Sequence, residues 1–408
     1  MDVQDYTKHW KKSWIVLGCA WLIGFAMYSP ILCIPPIAFI IKQELRVSHA
    51  AVGLLFSLPV TVLVPLALPS GFLADRLGTK RAVGIGATVM AAGSLMRGMS
   101  DSYATLLALT SLYGAGFSII YPNLPKLVGL WFPREKVGLA TGVYTTGITA
   151  GSGISLAITL PLVFPLAGSI QGTFFFWSIP AVVAAALWWI LVKDPPLIRD
   201  PSGRASGADR VGRPFSSLWK NRNMWMIAVM LFMNNLHFYT WSAWTPTLMM
   251  MKGAPPDLAA LIASFRAWVG LPMIFLMPWA SYRVGVRKPF IWGSALLLAL
   301  ASWSAIYLPV PLGWPLMAAI AISTGGTFPM ILAFLLEMLP HRSVGTASGA
   351  VLSIGYIGGL LGPWLAGHVV DSTGSLDLAL VLLGGAAILW AWIGFSVPET
   401  GRKGLHPV

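Results

Sequence analysis

The stretch Pro69-Ser70-Gly71-Phe72-Leu73-Ala74-Asp75-Arg76-Leu77-Gly78-Thr79-Lys80-Arg81 decides the fold. It lies between two long apolar runs and gathers an acid, two glycines and three basic residues into one short turn. Helices joined by so short a turn run antiparallel through the same apolar layer. Gly71 is expected to let a neighbouring helix approach closely. Asp75 can accept hydrogen bonds from the exposed N–H groups of a nearby helix start. Arg76, Lys80 and Arg81 hold the turn on the cytoplasmic side of a bilayer.

Composition points the same way. Of the 408 residues, 56% are hydrophobic and only 10% charged, where a soluble domain carries about 25% charged residues. Each spanning helix needs ~20 apolar residues, and the chain has room for about twelve. The net charge of +13 does not mark a nucleic-acid patch, because the basic residues sit in short connections between apolar runs. Cys19 and Cys33 are the only cysteines and share the first apolar run, so no disulfide framework or metal cluster is available. Val16-Leu17-Gly18-Cys19 resembles a lipoprotein cleavage box, but the apolar segment before it is too short for a signal peptide.

The turn resembles the signature loop between the second and third helices of the major facilitator superfamily, G-x-L-A-D-R-x-G-x-K-R. That resemblance implies an all-α integral membrane protein with twelve transmembrane helices in two six-helix pseudo-symmetric halves. It also assigns Gly71, Asp75, Arg76, Gly78 and Arg81 to gating. In such proteins the matching acid links the two halves at the cytoplasmic side when the cavity opens outward.

Helices are predicted at about 13–41, 50–74, 81–98, 103–130, 137–163, 172–192, 223–250, 257–281, 288–308, 312–338, 343–367 and 376–397. Residues 193–222 form the one long polar connection, rich in Pro, Gly, Ser and Arg and expected to be flexible. They separate an N-terminal half, 1–192, from a C-terminal half, 223–408. The halves repeat at an offset of 207 residues. Pro65 falls on Pro272, Arg76 and Gly78 on Arg283 and Gly285, and Lys80 and Arg81 on Arg287 and Lys288. Pro122 and Pro133 fall on Pro329 and Pro340, and Gly138 to Gly142 on Gly345 to Gly349. Tyr282 stands at the position equivalent to Asp75, so the second signature loop is degenerate.

Charges within a bilayer are costly and mark function. Arg266 is predicted near mid-membrane with no acid within a turn or two on its own helix, which suits two-pronged binding of a carboxylate or similar anion. Lys126 follows Tyr121-Pro122-Asn123-Leu124-Pro125, where two prolines free main-chain carbonyls. It either guides an anion at the inner mouth or snorkels to the surface. Arg97 stands four residues before Asp101, a spacing that suggests a local ion pair. Glu337 is placed near the inner end, too far in depth to reach Arg266 easily. Asn234, His237, Trp241 and Trp244 form one stripe that should face the pore or another helix, with His237 able to bind substrate or carry a proton. Tyr28 (with Trp21 and Phe25), Tyr113 and Tyr121 (with Phe117), and Tyr356 are candidate pore-lining aromatics, and packing is the competing role for each.

The N-terminal half has no carboxylate at mid-membrane depth, which removes the usual proton carrier. There is no Walker loop, no Ser/His/Asp set and no metal-ligand set, so neither an enzyme nor a cofactor or metal site is expected. Two stretches narrow the resemblance. Leu124-Pro125-Lys126 with Trp131 to Lys136 and Gly138 to Gly142 looks like small-anion permeases, and Phe238-Tyr239 with Trp244 to Leu248 is similar to cyanate-permease-like proteins. Helix two has no arginine between Ala51 and Ala74, unlike the nitrate branch, and helix five lacks the Gly-Pro pair of proton-coupled drug exporters. The resemblance thus implies secondary or facilitated transport of a small organic or inorganic anion by alternating access. A proton or counter-anion would be its co-substrate, and a monomer in the lipid bilayer is expected. An exporter of amphipathic drugs and a transport-dead sensor are the alternatives. A sensor predicts an added soluble signalling segment, which neither end of the sequence supplies.

Of the 27 Lys and Arg, Lys42, Arg46, Arg97 and Lys252 fall outside, and Lys126 and Arg266 fall within helices, when the N-terminus is taken as inside. All the others fall inside, which places both termini in the cytoplasm of a cell whose plasma membrane the chain spans. An engineered Ser206→Cys is accordingly expected to react with an impermeant thiol reagent only after the cells are opened. Labelling in intact cells reverses the orientation.

Overall fold

The computed structural model describes residues 3–132, 134–193, 221–338 and 344–400, which are helical nearly throughout and contain no strand. The predicted connection 193–222 lies almost wholly outside the described residues. The helices are α1 Val3–Leu32, α2 Ala38–Leu45, α3 His49–Leu77, α4 Thr79–Arg97, α5 Tyr103–Ile120 and α6 Asn123–Trp131. They continue with α7 Arg134–Ile158, α8 Phe164–Ala167, α9 Ile170–Leu191, α10 Arg222–Met251 and α11 Pro256–Val284. The last are α12 Lys288–Tyr307, α13 Gly313–Gly325, α14 Thr327–Met338, α15 Val344–Thr373 and α16 Asp377–Ser396. Ten stretches are long and apolar enough to cross a bilayer. The remaining two spans of the twelve are α4, diluted by glycines and a basic first turn, and α10, diluted by Asn, His and Trp.

Four predicted helices are interrupted. The first breaks after Leu32 into a short 3-10 turn, Pro35–Ile37, before α2. The fourth breaks at Tyr121-Pro122 between α5 and α6, because Pro122 donates no main-chain hydrogen bond. The fifth ends in a π turn, Thr159–Val163, ahead of α8. The tenth breaks at Gly326 between α13 and α14.

By internal contacts the chain divides into two compact units, Met1–Leu45 with Leu58–Arg204, and Arg46–Ser57 with Ala205–Val408. The first turns of α3 therefore group with the second unit, which a division at 193–222 does not anticipate. Two close approaches and a cap explain this. A Cβ at Gly53 would stand 2.4 Å from the Pro363 carbonyl oxygen, and one at Gly367 would stand 2.6 Å from that of His49, so main chain meets main chain. Asp371 of α15 then accepts from the N–H groups of His49 (2.8 Å) and Ala50 (2.9 Å) and from His49 Nδ1 (2.8 Å). The helix start has no partner of its own for these donors, and a carboxylate suits both their geometry and the helix dipole.

Within the first unit α1 packs on α7 and α4 on α5; within the second, α10 packs on α15 and α12 on α16. The repeat reappears in the packing. A Cβ at Gly151 would lie 2.4 Å from the Phe25 carbonyl oxygen, and one at Gly358 would lie 2.1 Å from that of Phe232. Both residues of each contact are related by the same 207-residue offset. Small residues at helix crossings are how membrane helices gain contact without a hydrophobic driving force.

Gly71 departs from expectation. It is helical, and a Cβ there would meet nothing within 4 Å among the described residues, so no helix uses its missing side chain. Gly116 is the opposite case, with a Cβ falling 2.3 Å from the Met90 nitrogen. Gly116→Ala is expected to cost about 1–3 kcal/mol through overpacking, read as a lower melting midpoint of purified protein. Gly71→Ala should match or exceed wild type by up to about 1 kcal/mol. Equal melting of the two variants contradicts this assignment of α4–α5 contact.

Candidate functional site

Arg266 lies in the middle of α11 and is 5% exposed. Its Nη2 donates to Ser242 Oγ of α10, and its guanidinium carbon stands 4.4 Å from the centre of the Phe238 ring. Phe238 and Ser242 are one turn apart on α10, and Ser242 Oγ in turn donates to the Phe238 carbonyl oxygen. No carboxylate meets Arg266 among the described residues. Glu337, weighed as a partner from sequence, instead pairs with Arg287. Ser242 and Phe238 were not singled out from sequence as partners of Arg266, and only their one-turn spacing could have linked them.

Beside Arg266 stands a group of aromatic rings. Tyr239 meets Phe238 edge-on at 5.2 Å, Tyr356 of α15 edge-on at 6.5 Å, and Phe56 of α3 at 6.3 Å. Tyr239 is seated where α15 has no side chain, since a Cβ at Gly359 would fall 2.8 Å from its Cδ2. Of the candidate aromatics, Tyr356 is thus the one brought into the Arg266 neighbourhood, buried at 3% exposure.

The stripe of Asn234, His237, Trp241 and Trp244 turns to neighbouring helices. Asn234 Nδ2 donates to the Thr324 carbonyl (3.2 Å) and Thr327 Oγ1 (2.8 Å), bracing the break between α13 and α14. His237 is fully buried, with Nδ1 at 2.7 Å from the Met233 carbonyl oxygen and Nε2 at 3.0 Å from that of Leu383. Both ring nitrogens therefore face main-chain acceptors, and neither is left for substrate. A neutral imidazole donates to one of these oxygens and an imidazolium to both. Trp244 Nε1 donates to the Pro363 carbonyl (2.9 Å), and Trp241 and Trp244 border a small cavity whose other lining is mostly Leu and Ala.

In the first unit the buried arginine is Arg97, and it does not pair with Asp101. α4 ends at Arg97 itself, so Asp101 falls beyond the helix and is exposed. Arg97 turns inward, donates from Nη1 to the Pro30 carbonyl oxygen (2.9 Å), and lies 4.2 Å from the Phe174 ring centre and 5.6 Å from that of Tyr113. Its Nε and Nη2 have no hydrogen-bond partner among the described residues. Tyr113 donates its hydroxyl to the Met27 carbonyl and is fully buried, which makes it a clamp on α1 rather than a free lining residue. Tyr28 packs edge-on against Phe117 at 5.7 Å, and Tyr121 stacks on Phe117 at 5.5 Å.

Lys126 and Asp75, assigned from sequence to substrate and to a helix start, meet each other instead. Both remain well exposed, with side chains at 39% and 65%. Gly78 adopts φ 83°, a backbone state open to glycine, while Arg76 and Arg81 are exposed. The acid that serves a helix start at the equivalent place in the second unit is Glu399, which accepts from the N–H groups of Arg287 (2.7 Å) and Lys288 (3.1 Å) at the start of α12.

The family model of the Major Facilitator Superfamily matches residues 16–265 and 251–408. The chain belongs to this superfamily. It is a multi-pass membrane transporter and not an enzyme. It is 27% identical over 400 residues to the transporter YycB of Bacillus subtilis (strain 168), covering 95% of this chain and 94% of that one. It is 26% identical over 358 residues to the cyanate transport protein CynX of Escherichia coli (strain K12), covering 87% and 89%. Among solved structures, a bacterial homologue of the human lysosomal transporter Spinster superposes with a TM-score of 0.76 at 15% identity, over 93% of this chain and 96% of that one.

The Asp75–Lys126 pair predicts matched behaviour. An exposed pair contributes under about 1 kcal/mol, so Asp75→Asn and Lys126→Gln should each leave the melting midpoint near wild type. Whatever change in transport rate either shows, the double variant should show no more, because both remove one interaction. A rise in KM confined to Lys126→Gln returns that lysine to the substrate path.

Proposed function

We propose that this superfamily member moves a small organic or inorganic anion, monocarboxylate-like or cyanate-like, by alternating access of its two halves around a site built on Arg266. The observation that carries this reading is a buried guanidinium with one donor engaged by Ser242 and no carboxylate partner among the described residues. One hydroxyl and one ring face, both from α10, leave such a cation room for solvent or an anion. An anion gains charge-assisted hydrogen bonds in a partly dry site and loses few competing ones. The relation to a protein named for cyanate transport supports the same class of substrate. A drug exporter recognising lipophilic cations has no use for an unpaired arginine at its site, so that alternative is the weaker. The co-substrate is a proton or a counter-anion, which counterflow at equal pH on both sides distinguishes. In this reading the chain spans the plasma membrane with both termini cytoplasmic, an orientation that the distribution of Lys and Arg supports.

The test is anion affinity in purified, monodisperse Arg266→Ala and Arg266→Lys protein. Each charge-assisted bond lost is worth roughly 1.5–3 kcal/mol, so Arg266→Ala should weaken binding by about tenfold or more. Arg266→Lys keeps the charge but not the planar fork, and should recover little for a carboxylate. Near-wild-type affinity in both variants ends the proposal.

A further inference from the structure

We infer that the substrate is a flat aromatic carboxylate, bound with its carboxylate on Arg266 and its ring beside Phe238 and Tyr239. The inference rests on the Arg266 anion site proposed above and narrows its ligand.

The guanidinium stands over the Phe238 ring, Phe238 meets Tyr239 edge-on, and Tyr239 in turn meets Tyr356 and Phe56. Phe238 is half-buried, whereas Tyr239, Tyr356 and Phe56 are buried behind it. The rings are held in place. Tyr239 rests on the bare main chain at Gly359, and α15 is drawn against α10 by Gly358 and Gly362, whose Cβ positions would fall 2.1 Å from the Phe232 carbonyl oxygen and 2.2 Å from Thr240 Oγ1. A wall of fixed ring faces and edges favours another aromatic ring by edge and offset contacts that a saturated ring does not make.

The polar groups nearby argue against a hydroxyl-rich acid. Asn234 gives both N–H bonds to the α13–α14 break, and His237 has a carbonyl on each ring nitrogen. The hydroxyls of Thr240, Ser242 and Thr245 each donate to the carbonyl one turn back on their own helix. Of the buried side-chain donors on this part of α10, Asn235 Nδ2, Trp241 Nε1 and Thr247 Oγ1 lack a partner among the described residues while the others are engaged, so a sugar acid would still leave most of its hydroxyls unmatched in a desolvated site. An aryl carboxylate needs only the guanidinium fork. Because its carboxylate is conjugated with the ring, two-pronged binding sets the ring coplanar with the guanidinium.

The experiment uses the full-length wild-type protein and radiolabelled benzoate, with unlabelled cyclohexanecarboxylate, cyanate and glucuronate as competitors. Ring contacts of this kind are worth roughly two- to tenfold each, so benzoate should outcompete cyclohexanecarboxylate by at least about fivefold and glucuronate by more. Tyr239→Leu should bring benzoate and cyclohexanecarboxylate together, Tyr239→Phe should keep them apart, and Arg266→Ala should weaken both acids alike. The wild-type ratio stands even where Tyr239→Leu does not fold. If cyclohexanecarboxylate or cyanate matches benzoate while binding still depends on Arg266, the aromatic assignment is overturned and the anion site survives. If no acid in the set depends on Arg266, the anion site fails and the inference fails with it.

Discussion

A guanidinium withdrawn from water must meet electron density from the protein or from a ligand. Among the described residues two are withdrawn, Arg97 and Arg266, and the requirement is met in two ways. Arg97 is enclosed by its own unit. One donor meets the Pro30 carbonyl, and the faces of Phe174 and Tyr113 cover the rest. Pro30 lies within α1, close to the point where that helix breaks, so the arginine braces a weakened turn. Arg266 meets one hydroxyl and one ring face. The difference lies in how many elements converge: α1, α5 and α9 surround Arg97, whereas a single helix, α10, supplies both contacts to Arg266. A side chain held from one side only is the one with a side left for a ligand.

The same requirement governs helix ends. The first N–H groups of a helix have no partner within it, and a side chain fixed at the helix start supplies one. Short-range caps solve this at α5, where Ser102 and Thr105 exchange bonds, and at α10, where Asn221 accepts from Asn223. Long-range caps solve it at α3 and α12, where Asp371 and Glu399 arrive from the far end of the sequence. Acids near the chain's end thus do for α3 and α12 what the signature loop suggested for Asp75. The local caps can be read as residues beside a helix start. A cap contributed from 322 positions away cannot, because nothing in either neighbourhood names the other.

How much was readable follows from the range of each interaction. Helix number and order follow from hydrophobicity, a property of each segment alone. The repeat is visible because Pro and Gly act on their own backbone, and the matched Gly151–Phe25 and Gly358–Phe232 contacts show that the offset extends to packing. Arg97 misled because four residues separate it from Asp101, a helical spacing only if the helix continues, and α4 stops at Arg97. Lys126 and Asp75 were each assigned a different task because their meeting depends on how α3 and α6 cross, which periodicity does not encode. A Cβ at Gly71 would meet none of the described residues for the same reason. A small residue permits an approach without requiring one.

The two faces of α10 bring these strands together. Periodicity finds Asn234, His237, Trp241 and Trp244 as one stripe and correctly keeps it from lipid, but a stripe kept from lipid has two destinations. These side chains go to helices: Thr324 and Thr327, the Leu383 carbonyl and the Pro363 carbonyl take their donors. By satisfying Asn234, His237 and Trp244 there, the fold removes three of the four from any role that needs a free donor, while Trp241 Nε1 has no partner among the described residues. What remains is on the adjoining face, where Phe238 and Ser242 carry the arginine of α11. Ser242 is unmarked in sequence, and Phe238 is marked there only by the resemblance of Phe238-Tyr239 to cyanate-permease-like proteins. Their importance comes from a cation that arrives from another helix. Residues that look most functional in isolation are polar, and in an apolar medium polarity has to be satisfied first; Arg97, although two of its nitrogens lack a partner among the described residues, is closed in by three helices, whereas Arg266 takes its contacts from α10 alone and keeps a side from which it can bind.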